Sequence, residues 1–328
     1  MKLSIVTTLF KSESYVEEFC RRAADTARKL VGNNYEIILV NDGSPDRSLE
    51  IAIEFAKKNP RIIVIELSRN FGHHKAMMTG LAYAKGEKVY LIDSDLEEEP
   101  EWLLDFNKQM QEGQCDVVYG VQEKRKGKLF ERFSGEIFYK LFRLLTKLDM
   151  PSNNTVARLM THRYVRALVK HQEREVFIAG LWYITGFRQY PYIVKKHSRG
   201  DSSYTFRHKL SLLVNSITSF SNTPLVSIFY IGILILLFSG GYTIFLIINR
   251  FCFHQVLTGW TSLMASIWLL GGLIVSFIGV IGIYLSKIFS EIKQRPYTII
   301  RHIYESLSDQ ESESQLSKML GLKTMSSE

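Results

Sequence analysis

Asp93 and Asp95 stand two positions apart in VYLIDSDLEEEP (89–100), directly after a short apolar run, Val89 to Ile92. On a strand, residues two apart point to one side. Two carboxylates at a strand end can therefore hold a hard divalent cation jointly. Mg²⁺ or Mn²⁺ takes oxygen ligands and keeps water and substrate phosphates in its shell. The chemistry on offer is the handling of a diphosphate. The same pattern suits a solvated or capping turn, so the rest of the chain has to decide. A second acidic turn, Asp42-Gly43-Ser44-Pro45, ends the apolar run YEIILVND (35–42). His73 and His74 are adjacent, and neighbours on a helix do not share a face. A polar contact or a helix start is expected of them rather than a metal pair. Glu98, Glu99 and Glu101 read as a solvated first helical turn favoured by the helix dipole, with Pro100 near its first position.

The elements that must position these residues alternate. LSIVTTLF (3–10), YEIILVND (35–42), RIIVIEL (61–67), KVYLID (88–93) and CDVVYG (115–120) read as strands. Helical patterns fill 14–31, 46–58, with Asp46 as N-cap, and 73–85. Strands separated by helices predict an α/β fold with a mostly parallel sheet and helices on both faces. Ligands bind such sheets beyond the carboxyl ends of the strands. Asp42 and the Asp93/Asp95 pair both sit at such ends and should converge. No dinucleotide glycine fingerprint follows the first strand and no P-loop is present, which argues against an NAD enzyme or an NTPase.

Composition divides the chain. It has 328 residues, 46% hydrophobic, with a formal net charge of +8. The positive balance suits an anionic partner: a phosphorylated substrate or an anionic membrane face. Nucleic acid is not expected, because the basic residues cluster beside two uncharged runs. Pro224 to Asn249 carries no charged side chain, and neither does Gln255 to Ser286. Each exceeds the roughly 20 apolar residues that cross a bilayer. Arg207, His208 and Lys209 precede the first; Lys287, Lys293, Arg295 and Arg301 follow the second; only Arg250 and His254 lie between. The positive-inside rule then puts both termini and the N-terminal domain in the cytoplasm. The expected organisation is a cytoplasmic domain over 1–205, a juxtamembrane amphipathic helix over 206–222, membrane helices at 224–249 and 260–287, and a cytoplasmic tail over 288–328. A basic amphipathic stretch near 128–148 suits a membrane interface. Cys20, Cys115 and Cys252 lack metal spacing and argue against disulfides or structural zinc. Gly240-Gly241 and Gly271-Gly272 suit close packing of the spans, and homo-oligomerisation through them is an open expectation.

The order of VNDGSPD (40–46), LSRNFGHHKAMMTGL (67–81), LIDSDLEEEP (91–100), RGDSSY (199–204) and two C-terminal spans resembles the membrane-bound polyprenyl-phosphate glycosyltransferases of the inverting glycosyltransferase-A type. That group contains the dolichyl-phosphate mannose synthases. The likeness runs over about residues 3–300 and is greatest to the bacterial subgroup that loads a sugar onto undecaprenyl phosphate. The resemblance implies a Rossmann-like glycosyltransferase-A domain and Mg²⁺ or Mn²⁺ as cofactor. It implies a nucleotide sugar donor, a UDP-sugar by preference, and a polyprenyl phosphate acceptor at the bacterial inner membrane. It implies nucleotide contacts from Thr8, Glu13, Asp42, Gly43, Arg69 and Gly72, with Asp42 at the base edge. Asp93 and Asp95 would bracket the diphosphate, Asp95 as main metal ligand. Arg158 is implied as catalytic; the residues by themselves read it equally as buried and structural or as phosphate-binding. Arg199, Ser202, Tyr204 and Lys196 would meet the acceptor phosphate.

Three departures from the family pattern stand out. Asn153-Asn154-Thr155-Val156-Ala157-Arg158-Leu159 occupies the acceptor loop and lacks both of its usual acids. Ser203 stands where the family has Lys. Ala179 stands where an Arg is common. A carboxylate base at the acceptor loop is therefore not assigned; Glu175 or Asp149 could supply one. Two other readings are compatible: transfer to a hydroxyl of a lipid-linked saccharide or glycolipid, or a non-catalytic membrane scaffold that binds nucleotide sugar.

Overall fold

All seven residues of β1 (Leu3–Leu9) and of β2 (Tyr35–Asn41) are buried. Strands buried along their whole length are what a sheet covered on both faces gives, and even Ser4 and Glu36 are enclosed, bonded to each other. The computed structural model describes residues 1–122, 144–145, 153–174, 176–196, 214, 217–253 and 259–305. The chain divides into two compact units. One comprises Met1–Phe133, Met150–Ser202 and Arg295–Glu328; the other comprises Ser134–Asp149 and Ser203–Gln294.

The first unit is built on an eight-stranded sheet of order β7-β5-β6-β4-β1-β2-β3-β8. Its members after β2 are β3 (Ile62–Leu67), β4 (Lys88–Leu91), β5 (Val117–Gln122), β6 (Asn154–Thr161), β7 (Gln189–Val194) and β8 (Ile300–Tyr304). β1 is parallel to β2 and β4, and β2 to β3. This is the expected parallel half. The other half is mixed: β6 runs antiparallel between β4 and β5, β7 runs parallel to β5, and β8 closes the far edge antiparallel to β3.

Helices α1 (Val16–Val31), α2 (Ser48–Lys58), α3 (His73–Tyr83) and α4 (Trp102–Gly113) link the first five strands. α5 (His162–Leu168) and α6 (Ile178–Ile184) follow β6. α1 buries Val16, Phe19, Cys20, Ala23, Ala24 and Ala27, a stripe at helical spacing, with Glu17 and Glu18 in its first turn and Arg28 and Lys29 in its last. Both charge placements complement the helix dipole. α3 lies close on the sheet at Gly80, where a Cβ would come within 2.5 Å of Val6 Cγ1.

Several expectations need correction. β4 ends at Leu91, two residues short of Asp93. The acceptor loop at 153–159 is largely strand β6. The expected tail at 288–328 contributes β8 to the sheet, held by Arg301 Nη1 to Glu66 Oε1 (2.7 Å) and Tyr304 Oη to Glu66 Oε2 (2.9 Å). Ile300, Ile303 and Tyr304 are strand formers, and pairing with β3 places this short run at the sheet edge despite Arg301 and His302. α4 begins at Trp102, with Glu101 at the cap position, so Pro100 lies before the helix.

The second unit contains α7 (Thr223–Phe253) and α8 (Trp260–Ile292). Both are long and apolar enough to cross a membrane over Thr223–Tyr242 and Ser266–Ile292, with mean hydropathy 2.1 and 2.3. Phe238 and Trp268 are about three-quarters exposed or more, at 76% and 80%, a surface that suits lipid better than water. Tyr284 Oη donates to the Ser221 carbonyl at 2.6 Å and Lys287 Nζ to Ser219 Oγ at 2.7 Å. Most of the amphipathic stretches at 128–148 and 206–222 lies outside the described residues.

Candidate active site

Asp42 follows directly on β2 and is 2% exposed. Its Oδ1 accepts the Phe71 amide at 2.7 Å and its Oδ2 the Gly72 amide at 3.0 Å. Burial pushes this carboxyl above its ordinary range, against the pull of the two amides. Gly43 has φ +60°, and a Cβ there would lie 2.5 Å from the Asn70 nitrogen. Only glycine allows the turn after β2 to meet the 69–72 loop this closely. Arg69 bonds the Asn70 carbonyl at 2.9 Å and its guanidinium lies over Phe71.

The first loop is tied to the same turn. Lys11 N–H donates to Ser44 Oγ at 2.7 Å, Glu13 N–H to Asp46 Oδ2 at 3.1 Å, and Arg47 N–H to Glu13 Oε2 at 3.1 Å. The α2 cap position belongs to Arg47 rather than to Asp46. Asp46 still serves the helix start, accepting Ser48 N–H at 3.2 Å and the Ser48 hydroxyl at 2.6 Å. Burial opposes its charge, but these bonds with those of Ser44 and Glu13 hold it at about 2.

Asp93 and Asp95 lie in a turn, so strand alternation does not aim them. The turn is pinned to the end of β1 by buried Ser94, whose hydroxyl donates to the Thr8 carbonyl at 2.9 Å and lies 3.1 Å from Ser12 Oγ. Asp95 Oδ1 accepts the Glu97 amide at 2.9 Å. Between them Leu96 adopts φ +58°, a left-handed conformation that costs a branched residue about 1–2 kcal/mol. Asp93 Oδ1 is buried without a hydrogen bond. The His73 imidazole faces it, with Nε2 at 3.3 Å, and His73 Nδ1 lies 2.9 Å from Thr8 Oγ1. His73 begins α3 and makes polar contacts, as expected. Burial lowers its pKa, but the Asp93 carboxylate outweighs burial and the net shift is upward. Asp95 is raised by burial and then by the charges of Asp93 and Glu97. Lys196 Nζ lies 3.1 Å from Glu97 Oε2 and 3.8 Å from Glu98 Oε1. The acids, Glu98 first, raise it against burial.

The structure thus gathers Thr8, Asp93, Asp95 and Lys196 in one group, and Glu13, Asp42, Gly43, Arg69 and Gly72 in a second about the Asp42 turn. Arg158 belongs to neither. It is 1% exposed, lies over the Trp182 ring, and bonds the carbonyls of Val156 at 3.2 Å and Thr155 at 3.3 Å. Of its two expected roles this geometry is the structural one, and burial lowers its pKa. Arg199, Ser202, Tyr204, Glu175 and Asp149 lie outside the described residues.

Glu98 corrects the expectation of a solvated acid. It is wholly buried and accepts the Val156 and Ala157 amides at 2.9 and 2.7 Å. Burial pushes its carboxyl up. Glu101 is also engaged, in a half-exposed pair with Arg22. No sequence signal separates Glu98 from the acids around it.

Among the described residues no group of three or more His, Cys, Asp or Glu could close a metal shell. A pair of carboxylates, one with a buried oxygen lacking a hydrogen bond, fits a hard cation that takes its other ligands from water and phosphate.

A sheet of this mixed order, with acidic turns beyond the carboxyl ends of β2 and β4, has the glycosyltransferase-A architecture. Residues 4–171 match the family model described as glycosyl transferase family 2, and the chain belongs to that family. It is 52% identical over 306 residues to a glycosyltransferase of Mycobacterium tuberculosis (strain CDC 1551 / Oshkosh), covering 93% of this chain and 89% of that one. It is 34% identical to the Bacillus subtilis glycosyltransferase YkcC, covering 93% and 94%. It is 31% identical to the SfII prophage-derived bactoprenol glucosyl transferase of Shigella flexneri, covering 92% and 98%.

Proposed function

We propose that this glycosyltransferase moves a hexose, with inversion, from a nucleotide diphosphate sugar to undecaprenyl phosphate at the cytoplasmic face of a bacterial inner membrane. The carrying observation is the Asp93/Asp95 turn, with its buried Asp93 oxygen lacking a hydrogen bond, in a chain with two helices long enough to cross a membrane. The Shigella relative named a bactoprenol glucosyl transferase supports the lipid acceptor. A UDP-sugar remains the preferred donor on the family resemblance.

Asp93 and Asp95 would hold Mg²⁺ or Mn²⁺, whose chemistry is to neutralise charge on the departing nucleoside diphosphate. Thr8 and His73 orient Asp93, and Ser94 locks the turn to β1. The Asp42 turn and the 69–72 loop form the nucleotide side. Lys196, drawn in by Glu97 and Glu98, sets a positive charge beside the acids where two phosphates must approach. A phosphate monoester has its second pKa near 6, so the acceptor is already an anion at neutral pH. It attacks the anomeric carbon without a general base, consistent with Asn153 and Val156 where the family has acids. An α-linked donor gives a β-linked lipid product.

The pairing of β3 with β8 supports two spans. β3 precedes the two apolar helices and β8 follows them, yet they share one sheet. A chain returning to its own sheet crosses a membrane an even number of times. With the basic flanks this favours both termini and the 1–205 domain on the cytoplasmic side, with spans at 224–249 and 260–287.

The test uses the full chain in detergent with undecaprenyl phosphate, Mn²⁺ and a panel of labelled nucleotide sugars, and Asp95→Asn as control. A mild-acid-labile labelled lipid, absent with the variant, is expected and names the donor. No labelled lipid with any donor, from wild-type protein that binds nucleotide in the presence of Mn²⁺, would overturn the acceptor assignment.

A further inference from the structure

Glu98 holds a place that a strand would otherwise occupy. The β4–β6 ladder runs from Lys88↔Thr161 to Leu91↔Arg158. One step further, Ile92 would face Ala157. That step is not taken: the Ile92 amide makes the last bond to β1, at 3.1 Å from the Val6 carbonyl, and the chain turns off. On β6, where the pairing with β5 shifts register and frees a second amide, those of both Ala157 and Val156 go to the two oxygens of Glu98. A buried amide left without a partner costs about 1–3 kcal/mol, so this one carboxylate lets β4 stop early and leave the sheet.

The segment that leaves carries the metal pair. It is fixed at Ser94, through the Thr8 carbonyl, and again at Glu98. Only residues 95–97 lie between these anchors. They include Asp95, Glu97 and left-handed Leu96. A strained residue of this kind persists only where its surroundings over-determine it. If the Glu98 anchor is released, Leu96 can relax and Asp95 swings away from Asp93.

We propose that Glu98 is a positioning residue that sets Asp95 against Asp93 for divalent-metal binding by clamping the turn to β6. The inference rests on the metal reading of Asp93 and Asp95. Glu98 does not itself touch the ion. It is the third side of the arrangement, and it links the donor-side turn to the strand that begins in the acceptor loop. Lys196, 3.8 Å from Glu98 Oε1, is held by the same carboxylate.

The experiment titrates the full chain in detergent with Mn²⁺ alone, read by the loss of the free-ion electron paramagnetic resonance signal, with no donor or acceptor present. Glu98→Gln keeps one acceptor but sets an NH₂ group against the other amide. It should weaken Mn²⁺ binding at least tenfold at a temperature where the variant remains folded by circular dichroism. Glu98→Asp keeps the charge and draws the carboxylate back by one methylene, and should shift affinity in the same direction. Both variants binding Mn²⁺ as tightly as the wild type would overturn the proposal while leaving the metal reading intact. Failure of both variants to fold, with Asp95→Asn folding normally, would make Glu98 a requirement of the sheet alone and overturn it also. A wild-type chain that binds no Mn²⁺ would remove the metal reading and the clamp together.

Discussion

Asp42 and Asp93 are the same residue type just beyond the carboxyl ends of two parallel strands, β2 and β4, yet the fold treats them differently. Asp42 has an amide on each oxygen and so builds the 69–72 loop onto its turn. Asp93 keeps a buried oxygen without a hydrogen bond, with an imidazole at 3.3 Å. One carboxylate is spent on the backbone around it, and the other meets no backbone amide. Position at a strand end therefore does not by itself assign a role; the amides within reach of the carboxylate do. Asp42 can still meet a base edge, because each carboxylate oxygen has a second acceptor direction, but its first task is internal.

The comparison is broken most directly at Asp93. Asp93→Asn should lower metal-dependent sugar transfer at least 100-fold, about 3 kcal/mol of transition-state stabilisation, while the denaturation midpoint hardly moves. Steady-state transfer and chemical denaturation of the same preparation check both halves. A large stability loss would place Asp93 with Asp42 and erase the contrast. Asp42→Asn should behave in the opposite way, losing about 1–3 kcal/mol of stability because an NH₂ group replaces an oxygen facing the Phe71 or Gly72 amide. Urea denaturation measures it, and an unchanged midpoint would sink the anchor role. A smaller effect sharpens the same contrast: Gly43→Ala should cost about 1–2 kcal/mol, through left-handed strain and the approach to Asn70. If urea unfolding of that variant matches the wild type, the close contact between the two loops is not maintained.

What could be read in advance follows the range of the forces involved. β1 to β4 and α1 to α3 were legible because apolar runs and helical spacing are local signals. The places of Asp42, Asp93 and Asp95 beyond β2 and β4 were legible because acidic turns follow the two apolar runs directly. β8 was read as tail, since a short edge strand with Arg301 and His302 acquires its identity only from β3 and Glu66. Arg158 carries no local sign of its burial, because the Trp182 ring that it lies over is 24 residues onward in the chain. Glu98 was misread with its acidic neighbours because nothing local distinguishes the one carboxylate that turns inward.

The sequence alone determined the alternating α/β pattern, the acidic turns beyond β2 and β4, and two uncharged runs of membrane-spanning length. These depend on composition and periodicity within some 20 residues. Only the tertiary structure decided which carboxylates meet amides and which stay open, where β4 yields its partner to Glu98, and that the chain returns after the apolar helices to complete its own sheet. Those outcomes depend on groups far apart in the chain. For a carboxylate at a strand end, an amide on each oxygen, as at Asp42, makes a structural anchor; Asp93, without them, stays open.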